Sequence, residues 1–146
     1  MTLLNKIILT FLILGATLFA PDFAFAVDLP SECPGMVEDY YLVDTASSGF
    51  EFTTGNDFIF AGDNNSTLID GGNGDDCILV GNNNTVDVSG NNGADIIIVG
   101  NSNTGEISGD GENGDDNIKI GDNNSGNIFS GNDTDTITLG ENNSGS

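Results

Sequence analysis

Five aspartates stand two residues ahead of an isoleucine and five ahead of a glycine: Asp57, Asp76, Asp95, Asp116 and Asp135. Successive copies lie 19, 19, 21 and 19 residues apart, a period that marks one structural unit stacked on itself. Stacking at the strand spacing of about 4.8 Å lines these carboxylates up in a row. Such a row repels itself, and the chemistry that relieves it is coordination of a hard cation. Calcium, with about six to eight oxygen ligands at roughly 2.3–2.6 Å in flexible geometry, suits neighbouring turns better than magnesium with its strict octahedron. Asp and Asn also suit turns for their own local hydrogen bonds. That alone does not explain why this place holds Asp in every copy and never Asn.

Catalysis has little to work with. Once a leader ending at residue 26 is set aside, the chain has no His, no Arg and a single lysine, Lys119. The usual acid–base and nucleophilic constellations cannot be assembled from that set. Adjacent acids such as Asp75 and Asp76 could in principle act on sugars, but neighbours on an extended chain point apart. The sequence reads as that of a non-enzyme.

The elements that must position the aspartates come in pairs. In the second unit a polar turn, Gly71 to Asp76, leads into Cys77-Ile78-Leu79-Val80, and a second turn, Gly81 to Thr85, leads into Val86-Asp87-Val88-Ser89. Alternation places Ile78 and Val80 on one face, with equivalents Ile59/Ala61, Ile97/Val99, Ile118/Ile120 and Ile137/Leu139. In the second half the inward candidates are Ile69, Val88, Ile107 and Ile128. The opposite faces are mixed and read as solvent-facing. Two short strands per coil describe an all-β fold, a flattened parallel two-sheet β-solenoid of about five coils with turns along its long edges. The extra residues Gly109-Asp110 fall in a turn as a bulge. About three inward apolar side chains per coil make a thin core, so something besides apolar burial must help to hold it.

Residues 1–26 carry Lys6, an apolar run from Ile7 to Phe19 and a small-x-small Ala24-Phe25-Ala26, the pattern of a cleaved secretory signal. The run is shorter than the roughly 20 residues of a membrane span. Residues 27–51 hold no copy of the period but are dense in apolar and aromatic side chains, and read as an N-terminal cap over the first coil; residues 52–146 are the repeats. Loss of Lys6 and Asp22 leaves the formal charge at −21, which repels nucleic acid and anionic membrane and favours cations as partners. Cys33 and Cys77 either form a disulfide tying the cap to the second coil or remain as free or intermolecular thiols.

The segment Gly71-Gly72-Asn73-Gly74-Asp75-Asp76-Cys77-Ile78-Leu79 resembles the nonapeptide GGxGxDxUx of the hemolysin-type calcium-binding (RTX) repeats, and Gly111 to Lys119 and Gly90 to Ile98 each depart only at the second glycine. The resemblance implies a calcium-loaded parallel β-roll. It implies Ca2+ between successive turns, held by Asp57, Asp76, Asp95, Asp116 and Asp135 with carbonyls near Gly72, Gly74, Gly93 and Gly114. Three departures stand out: a coil of 19 residues where the family uses two nine-residue halves, an N-terminal leader where members often use a C-terminal signal, and a second edge with no aspartate at the sixth place. Calcium is therefore expected on one edge only.

The second edge is rich in Asn, at Asn64-Asn65, Asn82-Asn83-Asn84, Asn101 with Asn103, and Asn123-Asn124, and reads as a site of side-chain amide ladders. It also carries Asn-x-Ser/Thr triplets at Asn64, Asn65, Asn83, Asn123 and Asn142, with another at Asn132. The functional expectation is a secreted calcium-binding protein that folds on calcium and serves a structural or adhesive role at the cell surface or in matrix. The alternatives are a self-assembling fibre subunit or a repetitive surface for ice or polysaccharide.

Overall fold

The computed structural model describes residues 31, 33, 39–43, 50–51, 54–109, 111 and 113–146. The leader lies outside these residues, as do most of 27–38 and part of the two-residue excess near Asp110. Among the described residues no helix is long and apolar enough to cross a membrane.

Among the described residues eleven strands form two parallel sheets. The odd strands are β1 (Asp39–Val43), β3 (Asp57–Ala61), β5 (Cys77–Val80), β7 (Ile96–Val99), β9 (Asn117–Ile120) and β11 (Thr136–Leu139), hydrogen-bonded in that order. The even strands are β2 (Phe50–Glu51), β4 (Ile69–Asp70), β6 (Val88–Ser89), β8 (Ile107–Ser108) and β10 (Ile128–Phe129), stacked the same way in the second sheet. Strand pairing sets Ile59, Ile78, Ile97, Ile118 and Ile137 side by side in one column. This is the two-sheet parallel solenoid that the period demands.

Alternation within each strand decides the core. Ile59, Ala61, Ile69, Ile78, Val80, Val88, Ile97, Val99, Ile107, Ile118 and Ile120 form one buried cluster between the sheets, with Ile128 packed against it. Each buried isoleucine or valine contributes roughly 1.5–3 kcal/mol. At β11 the same pattern fails to bury: Ile137 and Leu139 are 43% and 46% exposed, because only one neighbouring coil covers them.

The structure adds two things to the sequence reading. The winding begins earlier than the first recognisable copy, since β1 pairs residue for residue with β3, setting Asp39 opposite Asp57 and Tyr41 opposite Ile59, while Phe50 stands opposite Ile69. The segment expected to cap the repeats thus contributes strands of its own. The second is a correction: the outer face of the odd sheet does not simply meet solvent. Phe58 and Cys77 are buried there with Cys33, and Phe60, Leu79 and Ile96 pack against them. Cys33 and Cys77 are joined by a disulfide with a Cα–Cα separation of 5.8 Å. The disulfide thus holds Cys33 against an apolar patch on this face. Beyond it, at Asn117, Lys119, Thr136 and Thr138, the same face becomes polar and exposed.

Candidate functional site: two polar ladders

The two long edges are built from different side chains performing a similar task. A turn between parallel strands leaves backbone N–H groups directed along the stack, and a short polar side chain on the next coil can accept them. On the Asp edge the backbone N–H of Asp57 donates to Oδ1 of Asp76 at 2.8 Å. That of Asp76 donates to Asp95 at 2.8 Å, that of Asp95 to Asp116 at 2.8 Å and that of Asp116 to Asp135 at 3.0 Å. The row holds across the 21-residue step, so the two extra residues leave the register of the flanking coils intact.

Asp57, Asp76, Asp95 and Asp116 are buried despite their charge. The second oxygens of Asp76 and Asp95, both Oδ2, accept no hydrogen bond. Each lies against the glycine that opens its own turn, and a Cβ placed on Gly71 or Gly90 would collide with it. Burial pushes the Asp76 carboxyl up to about 7, opposed by the hydrogen bond from the Asp57 backbone and reinforced by the negative charge of Asp57. Burial pushes Asp95 up to about 8, again opposed by a backbone hydrogen bond, from Asp76, and reinforced by the flanking charges of Asp76 and Asp116.

All the metal-ligand candidates lie on this edge. Gly74, Gly93 and Gly114 adopt φ of 128°, 132° and 144°, a backbone that glycine allows. The carbonyls of Gly74 and Gly93 face the α-carbons of Gly93 and Gly114 on the next coil, so closely that a Cβ there would overlap them. The Gly72 carbonyl accepts the Asn92 N–H at 3.0 Å. The aspartates are thus brought into one column with the turn glycines beside it. Among the described residues no three acidic, Cys or His side chains converge on one point. A cation in this row would find the unsatisfied Oδ2 atoms of Asp76 and Asp95, a buried donor set of hard oxygen.

The other edge carries a ladder that the sequence located only broadly. Asn65, Asn84, Asn103 and Asn124 are buried, one per coil. Asn65 Nδ2 donates to Asn84 Oδ1 at 2.8 Å, Asn84 Nδ2 to Asn103 Oδ1 at 2.7 Å and Asn103 Nδ2 to Asn124 Oδ1 at 2.7 Å. Each Nδ2 also donates to the carbonyl two residues on: Thr67, Val86, Gly105 and Gly126. The signal was present in the sequence, since this is the one position of the edge that is Asn in every copy, whereas the preceding place admits Ser102. That preceding residue takes a left-handed φ of about 60° in each coil, at Asn64, Asn83, Ser102, Asn123 and Asn142. An outer row accepts further backbone N–H groups: Asp63 from Asn82, Asn82 from Asn101, Asn101 from Asp122, and Asp122 from Glu141.

Comparison with protein-family profiles, with curated proteins and with solved structures finds no match to this chain. The fold agrees with the parallel solenoid implied by the resemblance drawn above.

Proposed function

We propose that this chain is an exported structural rod, without catalytic activity, that associates with copies of itself through its coil ends. The observation that carries this reading is the face of the last coil. Ile137 and Leu139 hold the inward places of the stack yet stand about half exposed, and β11 is the edge strand of its sheet. From β3 onward the described coils meet through the same isoleucine column, and β1 and β11 are the outer strands of the odd sheet, so a β11 face meeting the β1 face of another copy is the head-to-tail geometry that grows filaments. Covering the remaining surface of Ile137 and Leu139 supplies about 1 kcal/mol each. The formal charge of −21 opposes contact, so association should strengthen with salt or divalent cations. Sedimentation velocity of residues 27–146 over a concentration series, compared with Leu139→Asp, tests it. Association that the substitution abolishes supports the reading, and a strict monomer under all conditions, with and without calcium, refutes it.

A second reading is favoured by one observation, the buried and unsatisfied Oδ2 atoms of Asp76 and Asp95. In it, calcium neutralises the aspartate column, with Asp57, Asp76, Asp95, Asp116 and Asp135 and the turn carbonyls near Gly72, Gly74, Gly93 and Gly114 as its holders. The ion would supply charge compensation and couple binding to folding. Circular dichroism during a calcium titration, with bound calcium measured by dialysis, is the test. A full β spectrum in excess chelator with no calcium retained would end this reading. Polysaccharide remains the alternative partner for the exposed polar rows.

A further inference from the structure

We propose that the Asn edge is a modification site, bearing N-linked glycans at Asn64, Asn83, Asn123 and Asn142. These asparagines occupy one position of the coil, the exposed tip of the second turn, with φ of 61°, 60°, 60° and 58°. Each is followed at the second place by an exposed hydroxyl residue, Ser66, Thr85, Ser125 or Ser144. The acceptor triplet is thereby repeated along one side of the rod, interrupted only where Ser102 takes the tip.

The structure separates these acceptors from triplets that merely share their letters. Asn65-Ser66-Thr67 overlaps the first acceptor, but Asn65 is buried and its Nδ2 is spent on the Thr67 carbonyl at 2.9 Å and on Asn84 Oδ1 at 2.8 Å. A sugar on that nitrogen would sever the amide ladder. Asn132 is exposed as the four acceptors are and differs from them in lying on the opposite edge, outside this row. At three of the four tips the Asn next in sequence, Asn65, Asn84 or Asn124, is buried and anchors the turn while the acceptor is exposed, and at the fourth the half-buried Asn143 donates to the Gly140 carbonyl at 2.8 Å. Asn83 Nδ2 donates to Asn64 Oδ1 at 3.2 Å, a bond that its second amide hydrogen can retain after substitution.

The chemistry needs a glycosyl donor of the lipid-linked oligosaccharide class and the transferase of the export route. The amide Nδ2 forms a bond to C1 of the first sugar while the C1–oxygen bond to the lipid phosphate breaks. The amide proton passes to a base of the transferase, and the lipid phosphate leaves. Neighbouring coils stand about 4.8 Å apart, so Asn64/Asn83 and Asn123/Asn142 are crowded pairs in which at least one member of each is expected to be occupied. A brush along one edge would hinder side-by-side packing and leave the coil ends open. The inference rests on the export included in the function proposed above.

The test is peptide mapping, after enzymatic glycan release, of the full chain secreted by an N-glycosylating host, beside cell-free translation with transferase-bearing membranes and a proven leader replacing residues 1–26. Glycan on at least one member of each pair, none on Asn65, and loss of the added mass in the N64S/N83S/N123S/N142S variant are expected. Serine is chosen because Ser102 already holds the same backbone at φ 61°. Bare asparagines at all four tips in the membrane-supplemented translation, or glycan on Asn65, overturn the inference. Failure of export appears separately, as a native leader that is never cleaved.

Discussion

Replacing Asn84 by alanine removes the centre of the buried amide ladder. In the intact protein its Oδ1 accepts from Asn65 Nδ2 at 2.8 Å, and its Nδ2 donates to Asn103 Oδ1 at 2.7 Å and to the Val86 carbonyl at 2.6 Å. Asn84 is fully buried, so water cannot replace these partners without opening the coil. Alanine leaves one donor hydrogen and two acceptors to be resettled in the interior. Each group stranded in this way costs about 1–3 kcal/mol, but the Val86 carbonyl and Asn103 Oδ1 keep part of their capacity, so a total of about 3–5 kcal/mol is expected. The assay is urea denaturation at fixed calcium, with Asn83→Ser as control. Asn83 is one residue away, exposed, and at a position where Ser102 is native in the third coil, so its substitution should stay within about 0.5 kcal/mol. If Asn84→Ala proves no more costly than the control, the ladder does not support the fold and the reasoning fails.

The aspartate column makes stability depend on pH. Asp76 and Asp95 hold a proton up to about 7 and 8 in the folded state against 3.8 ordinarily, so the native state binds more protons than the unfolded state in that window. Metal-free protein should therefore lose stability as pH rises from about 4 to about 8, by on the order of 4–5 kcal/mol between pH 5 and pH 7 if both groups shift in full, and Asp95→Asn should reduce that slope in thermal melts. Gly90→Ala should destabilise by about 1–3 kcal/mol, since its Cβ would meet the Asp95 carboxylate, whereas Gly62→Ala, with nothing within 4 Å, should be near neutral in the same melts. Replacing Cys33 and Cys77 together by serine should remove up to about 4 kcal/mol, from a sequence separation of 44 residues, and raise dye binding at the uncovered Phe58, Phe60 and Leu79.

Much of the architecture could be read from the period. The alternation Ile78/Val80 with Val88 two turns' length away identifies two strands per coil, and the structure places those side chains in one core. What the period could not reveal is where the winding begins. In Asp39–Val43 a tyrosine stands in the isoleucine place and Asp44 in that of the glycine, yet backbone pairing needs only an extended segment in register with β3. Nor could alternation foresee the outer apolar patch, because Phe58, Cys77 and Ile96 look like an irregular solvent face until Cys33 covers part of them. Among the site residues, the aspartates fall into one column as their constancy suggested. Their depth was hidden, since a charged side chain in a glycine-rich turn normally faces water and only the missing Cβ at Gly71 and Gly90 lets it turn inward.

The buried asparagines also give the rod an electrical direction. In all three side-chain links the N–H points toward the following coil and the oxygen toward the preceding one. Amide dipoles of about 3.5 D each therefore add head to tail, with the positive pole toward the Ser146 end. Two rods meeting in sequence join unlike poles and extend the polarised chain, while two meeting tail to tail set like poles together. The same amides that hold neighbouring coils together would thus bias which end of a second molecule is accepted.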